Sequence, residues 1–362
     1  MIRRILFTLI VLTNLRAQSH ELDLQPGGGW VDTGIDLQPG DRVHITATGQ
    51  LQYATAKQAN GPEGLPRGFA DLVRVMQVND AGRGAVVARI GSNAADRPFL
   101  VGAEKSAQAY IAGRLFVAIN QPSSDDATGS YHLTIEVTAR SGPAPAPARA
   151  PDFPQRLLDS IPLRVSDPAG APGDRVNFIL IGSQEQVQAA LKAAGWVVVD
   201  RSVKETILKG FLVSVSKEAY VTMPMSELWL FGRPQDFGYA QADPLRVAAS
   251  RHHFRIWKAP FEFDGKPVWA GAGTHDVGFD RDRRNNGITH KIDPETDHER
   301  DFIRENLIQT GLVMATSYMT PTNPILKAKT ATGDEFSSDG RTLLVFLTPA
   351  TNGAAANPRD KF

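Results

Sequence analysis

One stretch dictates how this chain can be divided. Ser141-Gly142-Pro143-Ala144-Pro145-Ala146-Pro147-Ala148-Arg149-Ala150-Pro151 alternates proline with alanine. Proline fixes φ and lacks an amide donor, so the run favours extended polyproline II and stays out of helices and central strands. It forms no core and acts as a semi-rigid spacer of ~3.1 Å per residue. A chain of 362 residues suggests two domains at roughly 150 residues each, and the spacer places the cut. The segmentation that follows is a signal peptide over residues 1–18, a first domain over 19–140, a linker over 141–155, a second domain over 156–352 and a flexible tail over 353–362. Such a spacer does not by itself bring the two domains together.

Composition removes several function classes. Lys+Arg and Asp+Glu are both 39, so no global field draws the protein to nucleic acid or to an anionic membrane. Nucleic acid is therefore not expected as a partner. The absence of cysteine excludes disulfides, thiolate metal sites, cysteine nucleophiles and lipid attachment through an N-terminal cysteine. Met1-Ile2-Arg3-Arg4 followed by the apolar run Ile5–Leu12 has the form of a signal peptide, with cleavage near Ala17, Gln18 or Ser19. A cytosolic N-terminal helix is the alternative. The run is short of the ~20 residues a membrane span needs, and no later stretch could span. The expectation is an exported protein, periplasmic or secreted, with no transmembrane segment in the mature chain.

Before the spacer, apolar residues recur with period two: Val43, Ile45, Ala47; Leu115, Val117, Ile119; Tyr131, Leu133, Ile135, Val137. This pattern sets one face of each strand on a core and the other in water. Turn chemistry separates the runs at Pro39-Gly40-Asp41, Asn60-Gly61-Pro62 and Asn79-Asp80-Ala81-Gly82. Short alternating strands with this punctuation predict an all-β antiparallel sandwich.

The order of motifs adds a resemblance. Gly29-Trp30-Val31-Asp32-Thr33-Gly34, Pro39-Gly40-Asp41-Arg42-Val43-His44-Ile45, Tyr53, Gly61-Pro62-Glu63-Gly64, Ala88-Arg89-Ile90-Gly91, Gly113–Asn120 and Thr128-Gly129-Ser130-Tyr131 resemble the PA-IL type of calcium-dependent galactose-binding lectin. The resemblance implies a lectin-like sandwich, a glycan partner, and calcium held by the Tyr53 carbonyl with Asp125 and Asp126. The sequence departs from the family pattern at Gln121 and Ala127, and Leu65-Pro66-Arg67-Gly68-Phe69 stands where sugar-holding polar residues are expected. A solvated turn at Asp125-Asp126 is the alternative reading.

After the spacer the pattern changes. Val176–Gly182 reads as a buried strand, and Ser183 with Gln186 as a capping box. Val187, Leu191 and Ala194 form the inner stripe of the helix that follows, and Gly195 its left-handed stop. One glycine and no lysine make a phosphate-loop reading weak. A helix is predicted over Lys204–Val213, strands over Ser226–Phe231, Arg251–Trp257, Pro267–Val277 and Thr289–Ile292, a helix over Glu295–Leu312 and a strand over Thr342–Leu347. Succession of strands without βαβ alternation predicts an α+β domain with a mostly antiparallel sheet.

Chemistry concentrates here, because five of the eight histidines lie between residues 252 and 298. If Arg251–Trp257 is a strand, Arg251, His253, Arg255 and Trp257 share one face and His252, Phe254 and Ile256 the other. The first face suits an anion, and His252 reads as a satisfied core histidine. His275 and Asp276 point to opposite faces unless the strand ends or bulges there. Asp293 reads as a helix N-cap with Pro294 at the first helical position, and Thr296 with Glu299 as a second capping box. Glu299 also extends the stripe Ile303, Asn306, Leu307, Thr310, which turns a carboxylate towards the sheet. The catalytic candidates are His253, His275, Asp276 and Glu299. Arg233, Arg251 and Arg255 are the candidates for holding a substrate anion. A divalent metal, if bound, would draw on His253, His275 and His290, since no pair of histidines sits one helical turn apart.

Gly195-Trp196, Phe231-Gly232-Arg233-Pro234-Gln235-Asp236, Arg251-His252-His253-Phe254-Arg255-Ile256-Trp257, Val268–Asp276 and Thr289-His290-Lys291-Ile292-Asp293 with Asp297-x-Glu299-Arg300-Asp301 resemble the LssY C-terminal domain family over most of residues 174–312. That family is often fused to phosphatidic-acid-phosphatase-like membrane domains. The resemblance names a domain and implies no reaction. Two functions follow as expectations. One is an exported hydrolase on phosphate-bearing envelope, lipid or glycan substrates, localised by its lectin-like domain. The other is a non-enzymatic envelope or extracellular binding protein, with the His/Arg/Asp residues as buried polar networks.

Overall fold

The structure is a computed structural model that describes residues 18–27, 29–66, 76–78, 81–122, 125–141, 148–199, 225–242, 251–281, 288–330 and 333–349. The expected leader up to residue 17, the helix expected over Lys204–Val213, most of the Pro/Ala run and the expected tail lie outside these residues.

Among the described residues, eight strands precede the spacer: β1 (Gln18–Leu24), β2 (Val31–Leu37), β3 (Arg42–Tyr53), β4 (Val86–Ile90), β5 (Phe99–Leu100), β6 (Glu104–Gln108), β7 (Gly113–Ile119) and β8 (Ala127–Thr138). They form two four-stranded antiparallel sheets, ordered β1-β8-β3-β6 and β2-β7-β4-β5. The period-two residues are the reason. Val43, Ile45 and Ala47 of β3, Leu115 and Val117 of β7, and Tyr131, Leu133 and Ile135 of β8 meet in one core with Leu24, Leu37 and Leu51, while the residues between them on β8 stay at least partly exposed. This is the antiparallel sandwich that the alternation predicts.

The second unit opens with α1 (Gln155–Asp159), β9 (Arg164–Ser166), β10 (Pro172–Arg175) and β11 (Phe178–Ile181). Next come α2 (Gln184–Ala193), β12 (Val197–Val199), β13 (Trp229–Leu230), β14 (Arg233–Pro234) and β15 (Phe237–Ala242). The long hairpin β16 (Arg251–Phe263) and β17 (Lys266–Arg281) leads to β18 (Ile288–Ile292). The unit ends with α3 (Thr296–Ile308), β19 (Val313–Met319), β20 (Lys327–Lys329), β21 (Glu335–Ser337) and β22 (Thr342–Leu347). Among the described residues the main sheet has eight strands, ordered β12-β15-β16-β17-β11-β22-β19, with β18 also on β17. Its described pairings are antiparallel except β11 with β22, which run parallel. The sheet is thus mixed and mostly antiparallel.

β11 is apolar throughout because both of its faces are covered. Phe178 and Leu180 pack under α2 and α3 with Leu191, Phe254, Ile303 and Leu307. Ile179 and Ile181 pack on the opposite side with Trp257, Ala270, Leu344 and the segment around Phe153 and Leu158. The capping box on α2 forms as expected, with the Ser183 side chain accepting from Gln186 N and the Gln186 side chain accepting from Ser183 N. Gly195 closes the helix at φ +85°. Asp264-Gly265, both at positive φ, make the two-residue turn between Phe263 and Lys266, the geometry such a dipeptide favours.

α3 begins later than its capping residues suggest. Asp293 Oδ1 accepts from the Glu295 amide in a local turn, and Glu295 is the N-cap without a side-chain capping bond. Thr296 bonds the Ser337 carbonyl and forms no box with Glu299. The carboxylate of Glu299 is thereby left to face the sheet.

The two units touch. The Gln309 side chain at the end of α3 accepts from the Arg97 amide at 2.9 Å and donates to the Ala95 carbonyl at 2.7 Å. The Tyr110 ring lies against Gly311, where a Cβ would come within 2.4 Å of the ring. The spacer alone did not require this contact.

Candidate functional site

His252 on β16 and His275 on β17 are cross-strand partners, as are Phe254 and Gly273. Cross-strand partners share a face of the sheet, and this face is the one α3 covers. Gly273 makes the close approach possible: a Cβ there would meet Ile303 Cδ1 at 2.9 Å and Glu299 Cγ at 3.3 Å. Glu299, one helical turn before Ile303, drops its carboxylate beside the two histidines and is only 1% exposed.

Three contacts define the cluster. Glu299 Oε2 lies 2.6 Å from His252 Nδ1. The His252 ring is sandwiched between His275, at a centroid distance of 4.1 Å, and Phe302, at 3.7 Å, all three nearly parallel. His275 is half-buried and forms the solvent side. Glu299 Oε1 has no hydrogen-bond partner among the described residues. Burial pushes the Glu299 carboxyl up, against the lowering effect of His252, and the nearby Asp293 charge adds to the rise. Asp293 donates its amide to the His275 carbonyl at 2.8 Å and holds the exposed His298 ring at 3.0 Å.

The reverse face of the same hairpin carries a second buried network. Arg251 pairs in register with Asp276, and His253 with Thr274. Asp276 Oδ2 lies 3.5 Å from both Arg251 Nε and His253 Nδ1, and Thr274 Oγ1 lies 3.0 Å from His253 Nε2. The Arg255 guanidinium donates to the backbone and side-chain oxygens of Ser226. Burial pushes Asp276 up to about 7, against the pull of Arg251 and Arg255. It also lowers Arg255 to about 10, opposed by Asp174.

The elements that build both faces lie inside one sequence family. Residues 158–342 match the family described as LssY C-terminus. The chain belongs to the LssY C-terminus family. Before it, the chain is similar to a solved structure described as an EclA N-terminal domain, a PllA-like lectin. That likeness is at 19% identity, covers 33% of this chain and 93% of that one, and has a TM-score of 0.23. No curated protein matches.

Within the LssY C-terminal unit, the catalytic set expected from sequence does not converge. His275 and Glu299 sit on the helix face, while His253 and Asp276 sit on the reverse face. The reason is strand parity, since β17 runs unbroken through His275 and Asp276 and the register shift comes only between Asp276 and Gly278. The expected metal set of His253, His275 and His290 fails for the same reason. His290 pairs with Phe279 through β18, and its side chain lies outside the described residues. The expected anion-holding arginines are committed internally: Arg233 grips Asp236 through two bonds, Arg251 faces Asp276 and Arg255 holds Ser226. His252, expected as a satisfied core histidine, is buried and bonded to Glu299, and it is also the central ring of the helix-face cluster. Parity could have found it, because it shares its face with the helix that bears Glu299.

Calcium does not fit the first unit. The Tyr53 carbonyl already accepts from the Ala56 amide at 3.0 Å and from the Gln52 side chain at 2.9 Å. The buried Arg83 guanidinium lies over the Tyr53 ring at 4.1 Å and donates to Asp125 Oδ2 at 3.3 Å and Thr55 Oγ1 at 3.0 Å. Gln121 accepts from the Tyr53 hydroxyl at 2.6 Å, and Asp126 is exposed. The protein supplies its own cation where a divalent ion was expected, so the expected ligand role of Tyr53, Asp125 and Asp126 is withdrawn.

Proposed function

We propose that the chain is an exported hydrolase whose reacting groups are His275, His252 and Glu299, with the sandwich unit holding a glycan-bearing target. One observation carries the chemistry: a carboxylate 1% exposed, with one oxygen on an imidazole and the other without a hydrogen-bond partner among the described residues. A merely structural carboxylate would have both oxygens bonded, because a buried unmet acceptor costs about 1–3 kcal/mol. Perturbed acids beside histidines cluster at functional sites. In this reading Glu299 orients His252. His275, at the solvent side, takes the proton from an attacking water and returns it to the departing oxygen.

Export is supported by Met1-Ile2-Arg3-Arg4 and the apolar run behind it. The glycan role is supported by the ordered lectin-like motifs along the sandwich. Phosphate selectivity has lost the arginines that motivated it, so the test covers reaction classes. Chromogenic carboxyl esters, phosphomonoesters, phosphodiesters and glycosides are offered to the full chain, to His275→Ala and to Glu299→Gln. Turnover of one class, falling at least 100-fold in both variants, is the expected result. Turnover that survives both variants excludes these residues.

A second reading has its own observation. The reverse-face charges are internally paired, as in a network that only fixes the fold. If none of the substrates is turned over, a binding protein is the better description.

A further inference from the structure

We infer that His252, His275 and Glu299 bind one divalent transition metal ion. The inference deepens the hydrolase reading by naming the cofactor class of the same site, and the binding itself can stand without that reading. A nitrogen from each histidine and an oxygen of Glu299 all lie within 4.8 Å of one another. Ligand bonds of ~2.0–2.2 Å around a tetrahedral ion set donor atoms roughly 3.4 Å apart. Binding would draw the donor atoms together by up to ~1.4 Å and turn the stacked His252 and His275 rings out of parallel.

The second observation is the unmet oxygen. Glu299 Oε1 is buried and without a hydrogen-bond partner among the described residues, although a carboxylate can accept several bonds. A cation between the histidines and Glu299 satisfies it. The 2.6 Å contact of Glu299 Oε2 with His252 Nδ1 already sets two of the three donor groups side by side.

The donor set names the class. Two imidazoles and one carboxylate suit zinc, iron(II), cobalt(II) or manganese(II), and suit calcium or magnesium poorly. Three protein ligands with one side towards solvent, at His275, match the open arrangement of catalytic sites. Phe302 and Ile303 wall the site on the helix side and keep the ion's surroundings dry on that side. The ion would polarise a bound water or a substrate oxygen, and with it bound His275 would serve as a ligand in place of the base role given above.

The test uses the full chain, purified without chelator, with bound metals measured by elemental analysis. The protein is then stripped and titrated with Co(II), whose visible absorption reports nitrogen and oxygen ligands. About one equivalent of metal per chain is expected. His275→Ala and the near-isosteric Glu299→Gln should each lower metal affinity at least 10-fold, while His253→Ala on the reverse face retains it. Far-UV circular dichroism identifies any variant that has unfolded, and Glu299→Gln keeps the test open if the histidine variant is lost. Folded wild type that takes up less than a tenth of an equivalent of zinc, manganese or cobalt overturns the inference. So does metal uptake equal in wild type, His275→Ala and Glu299→Gln. A metal-free chain that still turns over substrate overturns the metal and keeps the hydrolase; a loaded chain without turnover does the reverse.

Discussion

At the scale of residues, burial sets the behaviour of each charged group and the partner decides its sign. Glu299 is raised by burial, against the lowering effect of its bond to His252. Asp339 is held well below the ordinary carboxylate range by Arg300 and Arg341, whose bonds outweigh its partial burial. A carboxylate with a depressed folded-state pKa contributes stability that is present above its unfolded value, near 4, and lost as pH falls through the folded one. Urea-unfolding midpoints should therefore fall between pH 6 and pH 3 in the wild type, and fall less in Asp339→Asn. Arg83 makes a similar prediction in the sandwich. Arg83→Met removes the hydrogen bonds to Asp125 and Thr55 and should cost about 2 kcal/mol, read as a lower thermal midpoint. Added calcium should leave the wild-type midpoint unchanged; a calcium-dependent rise lost in Asp125→Asn would restore the ion that the guanidinium displaces.

Strands and helices reveal how much of the site could be read in advance. Arg251–Trp257 and the start of β17 alternate as the sequence indicates, so the split of His275 from Asp276 was legible. Polar character did not mark the face on which His252, His275 and Glu299 meet. His252 shares its side with Phe254 and Ile256, which looked like core until α3 added a carboxylate from above. Glu299 was legible as an inward residue through its spacing from Ile303. Its partners were not, because cross-strand register depends on the Asp264-Gly265 turn and on which face the helix covers. Strands β19 to β21 escaped for a related reason: they are short or half-exposed, and pairing rather than pattern makes them strands. Gly273 sets the height of α3 above the sheet. Gly273→Ala should destabilise the unit by about 1–3 kcal/mol through overpacking, measured by urea unfolding, and should displace Glu299 from His252. An unchanged midpoint would mean that the helix has slack here.

Across the whole molecule, the Pro/Ala run marks a boundary that composition alone reveals, and strands on either side keep to their own sheets. The sequence held no sign that the units would meet, because the hydrogen bonds between them run from the Gln309 and Asn306 side chains to backbone groups of Ala95 and Arg97. Backbone groups carry no sequence pattern. Gln309→Ala removes its two bonds and should loosen the junction, so limited proteolysis near residues 148–154 should accelerate several-fold. Equal cleavage rates would show that Tyr110 and Gly311 suffice.

The central claim is that the helix face of the β16–β17 hairpin, and not its reverse, carries the chemistry. Anomalous diffraction at the zinc edge from crystals of the full chain soaked in zinc tests it most directly. The account predicts one strong peak bounded by His252, His275 and Glu299. A peak at His253 and Asp276, or none within reach of Glu299, would contradict it.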